Sequence, residues 1–180
     1  KSVLMKHNLF ATATTGRLIA DNTGLPITLL LSHKQGGHQQ INARIAYNEI
    51  DLVLLFTDPN TVIYGHNMKN LSMFGSLKKY KTEDFYKDHQ FFTIYTSECA
   101  YRYQIFAYYD VPETDEVYTV GFAPDETFQK FIDKMKQKSY DDTGVNVTKD
   151  DHIMTLSTCS TTGKRFVVHA VRIGEHALEK

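Results

Sequence analysis

The chain has 180 residues, of which 42% are hydrophobic and 23% are charged, and its formal net charge is −1. This composition supports a packed core under a polar surface, and the nearly balanced charge argues against nucleic-acid binding through a basic field. No run reaches eighteen consecutive apolar residues, so we expect neither a membrane-spanning helix nor a signal peptide. Neither a CxxC nor an HExxH motif occurs, so we also expect no metal site.

The first 59 residues carry the pattern of a small α/β segment. Apolar runs predict three strands, at residues 9–12, 26–31 and 51–56. Between the last two runs, Ile41 and Ile45 are four residues apart, which is a helical spacing. Alternating helices and unbroken apolar strands are typical of parallel sheets, so we predict a parallel α/β segment over residues 1–59.

From Asn60 onward the pattern changes to strands rich in β-branched and aromatic residues. The predicted strands lie at residues 61–64, 91–95, 101–109, 117–120, 153–157 and 165–173. We therefore predict a domain boundary at Pro59–Asn60, with residues 60–180 forming a mixed, mainly antiparallel sheet of the α+β class.

One amphipathic helix interrupts these strands. Its apolar residues recur at i, i+3, i+4 and i+7, namely Phe128, Phe131, Ile132 and Met135. Asp125 and Glu126 come at its start, and three lysines lie toward its end, which suits the helix dipole.

Three residues form a candidate catalytic set: Cys159, His66 and Arg165. A thiolate is a nucleophile, an imidazole can protonate a leaving amine, and a guanidinium can stabilise an oxyanion. A short loop between two strands would place Cys159 at the end of one strand and Arg165 at the start of the next, on either side of one bound carbonyl. A nucleophilic thiol must be free, so we expect no disulfide to Cys99, which we interpret as structural.

Three ordered blocks around these residues, at 62–75, 155–159 and 164–170, resemble a class B sortase over about residues 60–173. The blocks read Val-Ile-Tyr-Gly-His-Asn-Met-Lys-Asn with Ser-Met-Phe-Gly, then Thr-Leu-Ser-Thr-Cys, then Lys-Arg-Phe-Val-Val-His-Ala. The resemblance implies a sortase-like β-barrel with one helix. The strands that normally precede the histidine strand are replaced here by the α/β segment, so the barrel is expected to be incomplete.

The sortase resemblance implies a cysteine transpeptidase without a cofactor. Cys159 would attack the peptide bond after Thr in a C-terminal sorting signal of a secreted protein, His66 would protonate the leaving amine, and Arg165 would hold the oxyanion. An amine of the peptidoglycan precursor would then take the acyl group. The expected location is the extracellular face of the membrane, held there by an anchor segment that this chain lacks.

Three residues beside the motifs have two open interpretations. Tyr64, Asn67 and Ser157 either bind substrate or make hydrogen bonds at the strand ends. Ser160 stands where several class B relatives have an acid, so any role of that acid does not carry over.

The N-terminal segment has its own resemblance, to methylglyoxal synthase, over about residues 6–59. The turn Thr12-Ala13-Thr14-Thr15-Gly16 matches one that cradles phosphate at a helix N-terminus in that family. His38 replaces the acid that acts as catalytic base there, and the family's opening strand precedes Lys1. We expect no synthase activity. The alternatives are an inactive chimera or binding module that retains the phosphate turn, or a lyase of this type.

Overall fold

The structure is a computed structural model. The chain falls into two compact units, Lys1–Asp51 and Leu52–Lys180. The residues that it describes are 9–12, 21, 27–30, 52–55, 59–82, 84–95 and 99–178. In the first unit, strands β1 (Leu9–Thr12) and β2 (Ile27–Leu30) pair in parallel, as the α/β prediction requires. The predicted helix around Ile41, His38 and the turn after Thr12 lie outside the described residues.

The second unit contains a six-stranded sheet in the order β3-β4-β7-β8-β6-β5. Its strands are β3 (Leu52–Leu55), β4 (Asn60–Gly65), β5 (Phe91–Tyr95), β6 (Cys99–Pro112), β7 (Ile153–Cys159) and β8 (Lys164–Ala177). Strands β4 and β7 run parallel, and the other neighbours run antiparallel. Within the described part of the chain the sheet is open, with β3 and β5 at its edges. The predicted mixed sheet of an incomplete barrel is confirmed.

One predicted strand has a different partner from the one expected. The run at residues 51–56 forms β3, but β3 pairs antiparallel with β4 and belongs to the second unit. Its assignment to a parallel sheet was therefore wrong. A short run with apolar residues on both faces fits either direction of pairing, so its composition could not decide the partner.

Helix α2 (Glu126–Lys138) covers one face of this sheet, and we call that face the α2 face. The Asp125 carboxylate caps the helix by accepting hydrogen bonds from the backbone N–H groups of Thr127 (2.8 Å) and Phe128 (3.2 Å). The four apolar residues of the predicted stripe are all buried: Phe128, Phe131, Ile132 and Met135. They pack against β6, β7 and β8 in one hydrophobic cluster, so the predicted helix and its buried stripe are confirmed.

A second hydrophobic cluster covers the opposite face. It joins Leu77 and Tyr80 of the 3₁₀ helix Gly75–Lys81 to β4, β6, β7 and β8. Phe85 and Tyr86 of the short helix α1 (Phe85–Asp88) pack at its margin. The sheet is thus buried on both faces through its middle.

The predicted strand at residues 117–120 is wrong. Residues Glu116–Tyr118 form a 3₁₀ helix instead. The Asp115 carboxylate accepts a hydrogen bond from the N–H of Val117 at 3.0 Å, and this local bond favours a turn over a ladder.

Among the described residues, no helix combines the length and apolar character needed to cross a bilayer.

Candidate active site

The thiol of Cys159 and the guanidinium of Arg165 face each other across two strands. Cys159 ends β7 and Arg165 is the second residue of β8, and the two are antiparallel partners. The Arg165 Nη1 donates toward the Cys159 Sγ at 3.6 Å. Cys159 is exposed and forms no disulfide with Cys99, so the expectation of an unbridged thiol is confirmed.

A tight loop produces this pairing. The Ser160 N–H donates to the Lys164 carbonyl at 3.1 Å, and the Lys164 N–H donates to the Thr161 carbonyl at 2.9 Å. Gly163 has a φ of 71°, in the left-handed region that favours glycine. The loop therefore returns the chain directly and sets Arg165 opposite Cys159.

His66 reaches the same edge of the sheet from a distant part of the sequence. It follows β4, whose parallel ladder with β7 ends at the pair Tyr64 and Ser157. Because parallel strands end at the same edge, His66 and Cys159 continue the two strands side by side. Cys159 and Arg165 face the α2 side of the sheet, and the alternation of side chains along β4, continued by one residue, leads us to expect His66 on the same side.

The loop after His66 is held close to the sheet. The Phe74 N–H donates to the His66 carbonyl at 3.0 Å. A Cβ on Gly65 would lie 2.8 Å from the Phe74 ring, and a Cβ on Gly75 would lie 2.2 Å from the Met68 carbonyl oxygen. Both positions require glycine because the backbone and the ring leave no room for a side chain. This packing fixes the direction in which the chain leaves His66.

Two tyrosines and a buried serine adjoin the site. The rings of Tyr64 and Tyr118 stack with centroids 5.5 Å apart, and the hydroxyl groups of Tyr118 and Ser157 lie 3.0 Å apart. Ser157 is completely buried, whereas both tyrosines are half-buried. Ser157 therefore makes the internal hydrogen bond that one of the two open interpretations expects. Its contact with substrate stays a prediction, as does that of Tyr64.

The positive charge of Arg165 also influences the pKa of these two tyrosines. Burial raises the pKa of Tyr118 to about 12, against the opposing effects of its hydrogen bond to Ser157 and of the Arg165 charge. Burial likewise raises the pKa of Tyr64, again opposed by Arg165. Glu113 lies on the other side of the guanidinium, with its Oε1 3.7 Å from Nε. Nη1 of Arg165 thus faces the thiol while Nε faces a carboxylate.

A polar cluster supports the loop after Cys159. The Lys81 Nζ donates to the Ser160 hydroxyl at 2.8 Å and to the Asp110 carboxylate at 2.7 Å. Burial pushes the pKa of Asp110 upward, but hydrogen bonds from Lys81, Ser160 and Tyr140 outweigh it and hold that pKa below its usual value. No local sequence signal indicates this cluster, since its members are far apart in the chain and belong to no motif.

Asn67 makes a direct contact with the other side of the site. Its Nδ2 donates to the backbone carbonyl of Cys159 at 2.8 Å. The structure thus brings His66, Asn67, Cys159 and Arg165 to one edge of the sheet, and their catalytic and binding roles stay predictions.

Among the described residues, no group of three or more His, Cys, Asp or Glu side chains could hold a metal ion.

The family model of the Sortase domain matches residues 37–173. Sortase B of Listeria monocytogenes is 43% identical over 107 residues, which are 59% of this chain and 43% of that protein. A solved Staphylococcus aureus sortase B–substrate complex has a TM-score of 0.63 and 34% identity, and the match covers 68% of this chain and 62% of the other. A sortase B complexed with triglycine has a TM-score of 0.62, with 32% identity over 72% of this chain and 64% of that chain.

The N-terminal residues match a second family. The MGS-like domain model covers residues 1–72, and methylglyoxal synthase of Caldicellulosiruptor saccharolyticus is 52% identical over 61 residues, which are 34% of this chain and 43% of that protein. The two family models overlap, so the predicted boundary at Pro59–Asn60 stays a prediction. The chain spans less than half the length of these curated relatives. The sortase match nevertheless extends over most of the chain and includes every residue of the edge described above, and the chain therefore belongs to the sortase family.

Proposed function

We propose that this chain is a cysteine transpeptidase of the sortase B type. It would cleave a C-terminal sorting signal of a secreted protein and join the acyl group to a cell-wall amine. The observation that carries the proposal is the exposed Cys159 thiol 3.6 Å from the Arg165 guanidinium, at the edge where β4 delivers His66. A nucleophile, an oxyanion donor and an acid/base group from three strands are what acyl transfer needs.

In the first step, the Cys159 thiolate attacks the carbonyl carbon of the threonine that precedes the scissile peptide bond of the sorting signal. A C–S bond forms, and the electron pair moved onto the carbonyl oxygen is stabilised by Arg165. The oxyanion collapses, the C–N bond breaks, and protonated His66 gives its proton to the leaving amine. The products are a thioacyl enzyme, a neutral His66 and the released C-terminal fragment.

In the second step, an amine attacks the thioester. Neutral His66 removes the amine's proton, a new amide bond forms, and the C–S bond breaks to regenerate the Cys159 thiolate and protonated His66. The solved relatives in complex with a substrate and with triglycine support a peptide donor and a glycine-type amine acceptor. A reaction on secreted proteins and wall precursors belongs at the extracellular face of the membrane, and we include that location in the proposal.

The proposal is tested by trapping the thioacyl enzyme. We expect a peptide library with threonine fixed before the scissile bond to yield an adduct that intact-mass measurement and peptide mapping locate on Cys159. Added triglycine should discharge the adduct as a new peptide. The alternative of a non-catalytic binding module predicts peptide binding with no adduct.

The two cysteines of the chain supply the matched control. Cys159→Ala should abolish the adduct, because it removes the nucleophile, whereas Cys99→Ala should keep turnover within a few-fold. Adduct on Cys99, or equal loss in both variants, would contradict the assignment of Cys159.

A further inference from the structure

The backbone ladder between β4 and β7 stops before it reaches the two reacting residues. Its last pair is Tyr64 with Ser157, two residues short of His66 and of Cys159. Beyond that pair, hydrogen bonds from side chains to backbone carbonyls join the two strand ends. Thr158 Oγ1 donates to the Gly65 carbonyl at 2.8 Å, and Asn67 Nδ2 donates to the Cys159 carbonyl at 2.8 Å.

These two bonds lie on either side of the reacting pair. One connects the residue before Cys159 to the residue before His66. The other connects the residue after His66 to Cys159 itself. Beyond the last ladder pair, the backbone groups of the two strand ends need other hydrogen-bond partners. The side-chain bonds keep the ends together at the position where the chemistry needs a fixed separation.

The side-chain amide of Asn67 contacts the Cys159 carbonyl through its donor group, Nδ2. Its Oδ1 is buried and accepts no hydrogen bond from the described residues. The backbone of Asn67 is also fixed, because it forms an antiparallel bridge with Met73. Within the described part of the chain, the polar contact of the side chain is therefore the one to the Cys159 carbonyl, which engages one of the two N–H groups of the amide.

We infer that Asn67 is a positioning residue that sets the separation of His66 and Cys159. The inference rests on the proposed function. Asn67 is covalently next to His66 and bonds to the backbone of Cys159, so it forms a short connection between the acid/base and the nucleophile. A displacement of about 1 Å between reacting groups can cost on the order of 10² in rate, so the loss of this bond should appear in the chemical step.

Two asparagines of the same loop allow a matched test. Asn67 uses its donor end, whereas Asn70 uses its Oδ1, which accepts from the N–H of Ser72 at 3.1 Å and from its hydroxyl at 2.7 Å. An aspartate keeps an acceptor but loses the donor. Asn67→Asp should therefore break its contact, and Asn70→Asp should keep its own.

The measurements are the rate of acylation at saturating peptide and the KM for that peptide. Asn67→Asp should acylate at least about tenfold more slowly with KM within about threefold, because positioning and not peptide affinity is lost. Asn67→Ala, which lacks the donor without adding a charge, should fall similarly, and Asn70→Asp should match the wild type. A raised KM with an unchanged acylation rate would overturn the inference, as would a normal rate in Asn67→Ala.

A second measurement separates this inference from the proposed function. The pH profile of Cys159 alkylation by iodoacetamide reports the environment of the thiol without any peptide. Both Asn67 variants should shift that profile and Asn70→Asp should not, including in a protein that acylates none of the peptides. Unshifted profiles in both Asn67 variants would overturn the positioning role, and an inactive wild type would overturn only the transpeptidase proposal.

Discussion

The end of the β7–β8 pair and its middle carry two polar pairs with opposite surroundings. At the end, Cys159 faces Arg165 and is exposed. In the middle, Thr155 faces His169, and both are buried. The ring of His169 is bonded on both nitrogens, with Nδ1 2.9 Å from the Thr155 Oγ1 and Nε2 3.1 Å from the Tyr109 hydroxyl.

In this sheet, position along the strand decides which polar pair a substrate can reach. Both pairs lie on the same two strands and face the same side. The middle pair is covered by the hydrophobic cluster under α2, so its polar atoms satisfy one another. The end pair lies beyond that cover, so the thiol stays available to a substrate. His169 is therefore a core residue, and the acid/base role stays a prediction for His66.

After the removal of the nucleophile in Cys159→Ala, replacing Arg165 by Lys should give the largest change among the variants of the two pairs. The guanidinium presents Nη1 to the Cys159 thiol and Nε to Glu113 at once, and a single ammonium cannot do both. We expect acylation at saturating peptide to fall by about 10²–10³, or roughly 3–4 kcal/mol, the usual cost of losing one oxyanion donor.

Lys164 is the control for this variant. It is exposed, and as the neighbour of Arg165 on a strand it points to the other face. Lys164→Ala should therefore change the acylation rate little. If Arg165→Lys keeps most of the wild-type rate, positive charge alone suffices and the forked-donor role is wrong.

The two histidines should respond to substitution in opposite ways. His66→Ala should lower acylation by about 10², the scale of losing a positioned acid or base. His169→Asn, which retains a polar group in the core, should instead lower the free energy of unfolding while acylation per folded molecule stays within a few-fold. Stopped-flow acylation and chemical denaturation measure the two effects separately. A near-normal rate in His66→Ala together with a loss in His169→Asn would transfer the role to the buried histidine.

The smallest effect concerns stability and pH. Burial, with a minor contribution from Lys138, lowers the pKa of His169 to about 3, whereas an unfolded histidine titrates near 6.5. Below a pH of about 6.5 the unfolded chain binds a proton that the folded chain cannot. The stabilising effect of the neutral ring is therefore complete above that pH and is lost as the pH falls toward about 3.

Between about pH 6.5 and pH 5 this loss should amount to about 1.6 kcal/mol for one group. Urea denaturation of the wild type and of His169→Asn at both pH values measures it as the difference between the two pH dependences. Other groups, such as Asp110, cancel in that difference. Equal pH dependences in the two proteins would show that His169 becomes protonated in the folded state and is not sealed in the core.

Local sequence patterns were sufficient for much of the fold. The spacing of Phe128, Phe131, Ile132 and Met135 and the acid at Asp125 defined helix α2, since both signals act over short stretches of chain. The short loop before Arg165 likewise predicted its pairing with Cys159, because two strands joined by a few residues leave little choice of register. The same local reasoning failed where Asp115 capped a turn within a run that reads as a strand.

The contacts between distant residues arise from the way the strands assemble into the sheet. Sequence motifs indicated Cys159, His66 and Arg165 as a chemical set and left Asn67 with two interpretations. Its bond to the Cys159 carbonyl joins residues 92 positions apart, and the cluster of Lys81, Asp110 and Ser160 is equally non-local. Such contacts depend on which strands become neighbours, and that choice is made by burying both faces of the whole sheet. No local spacing records it.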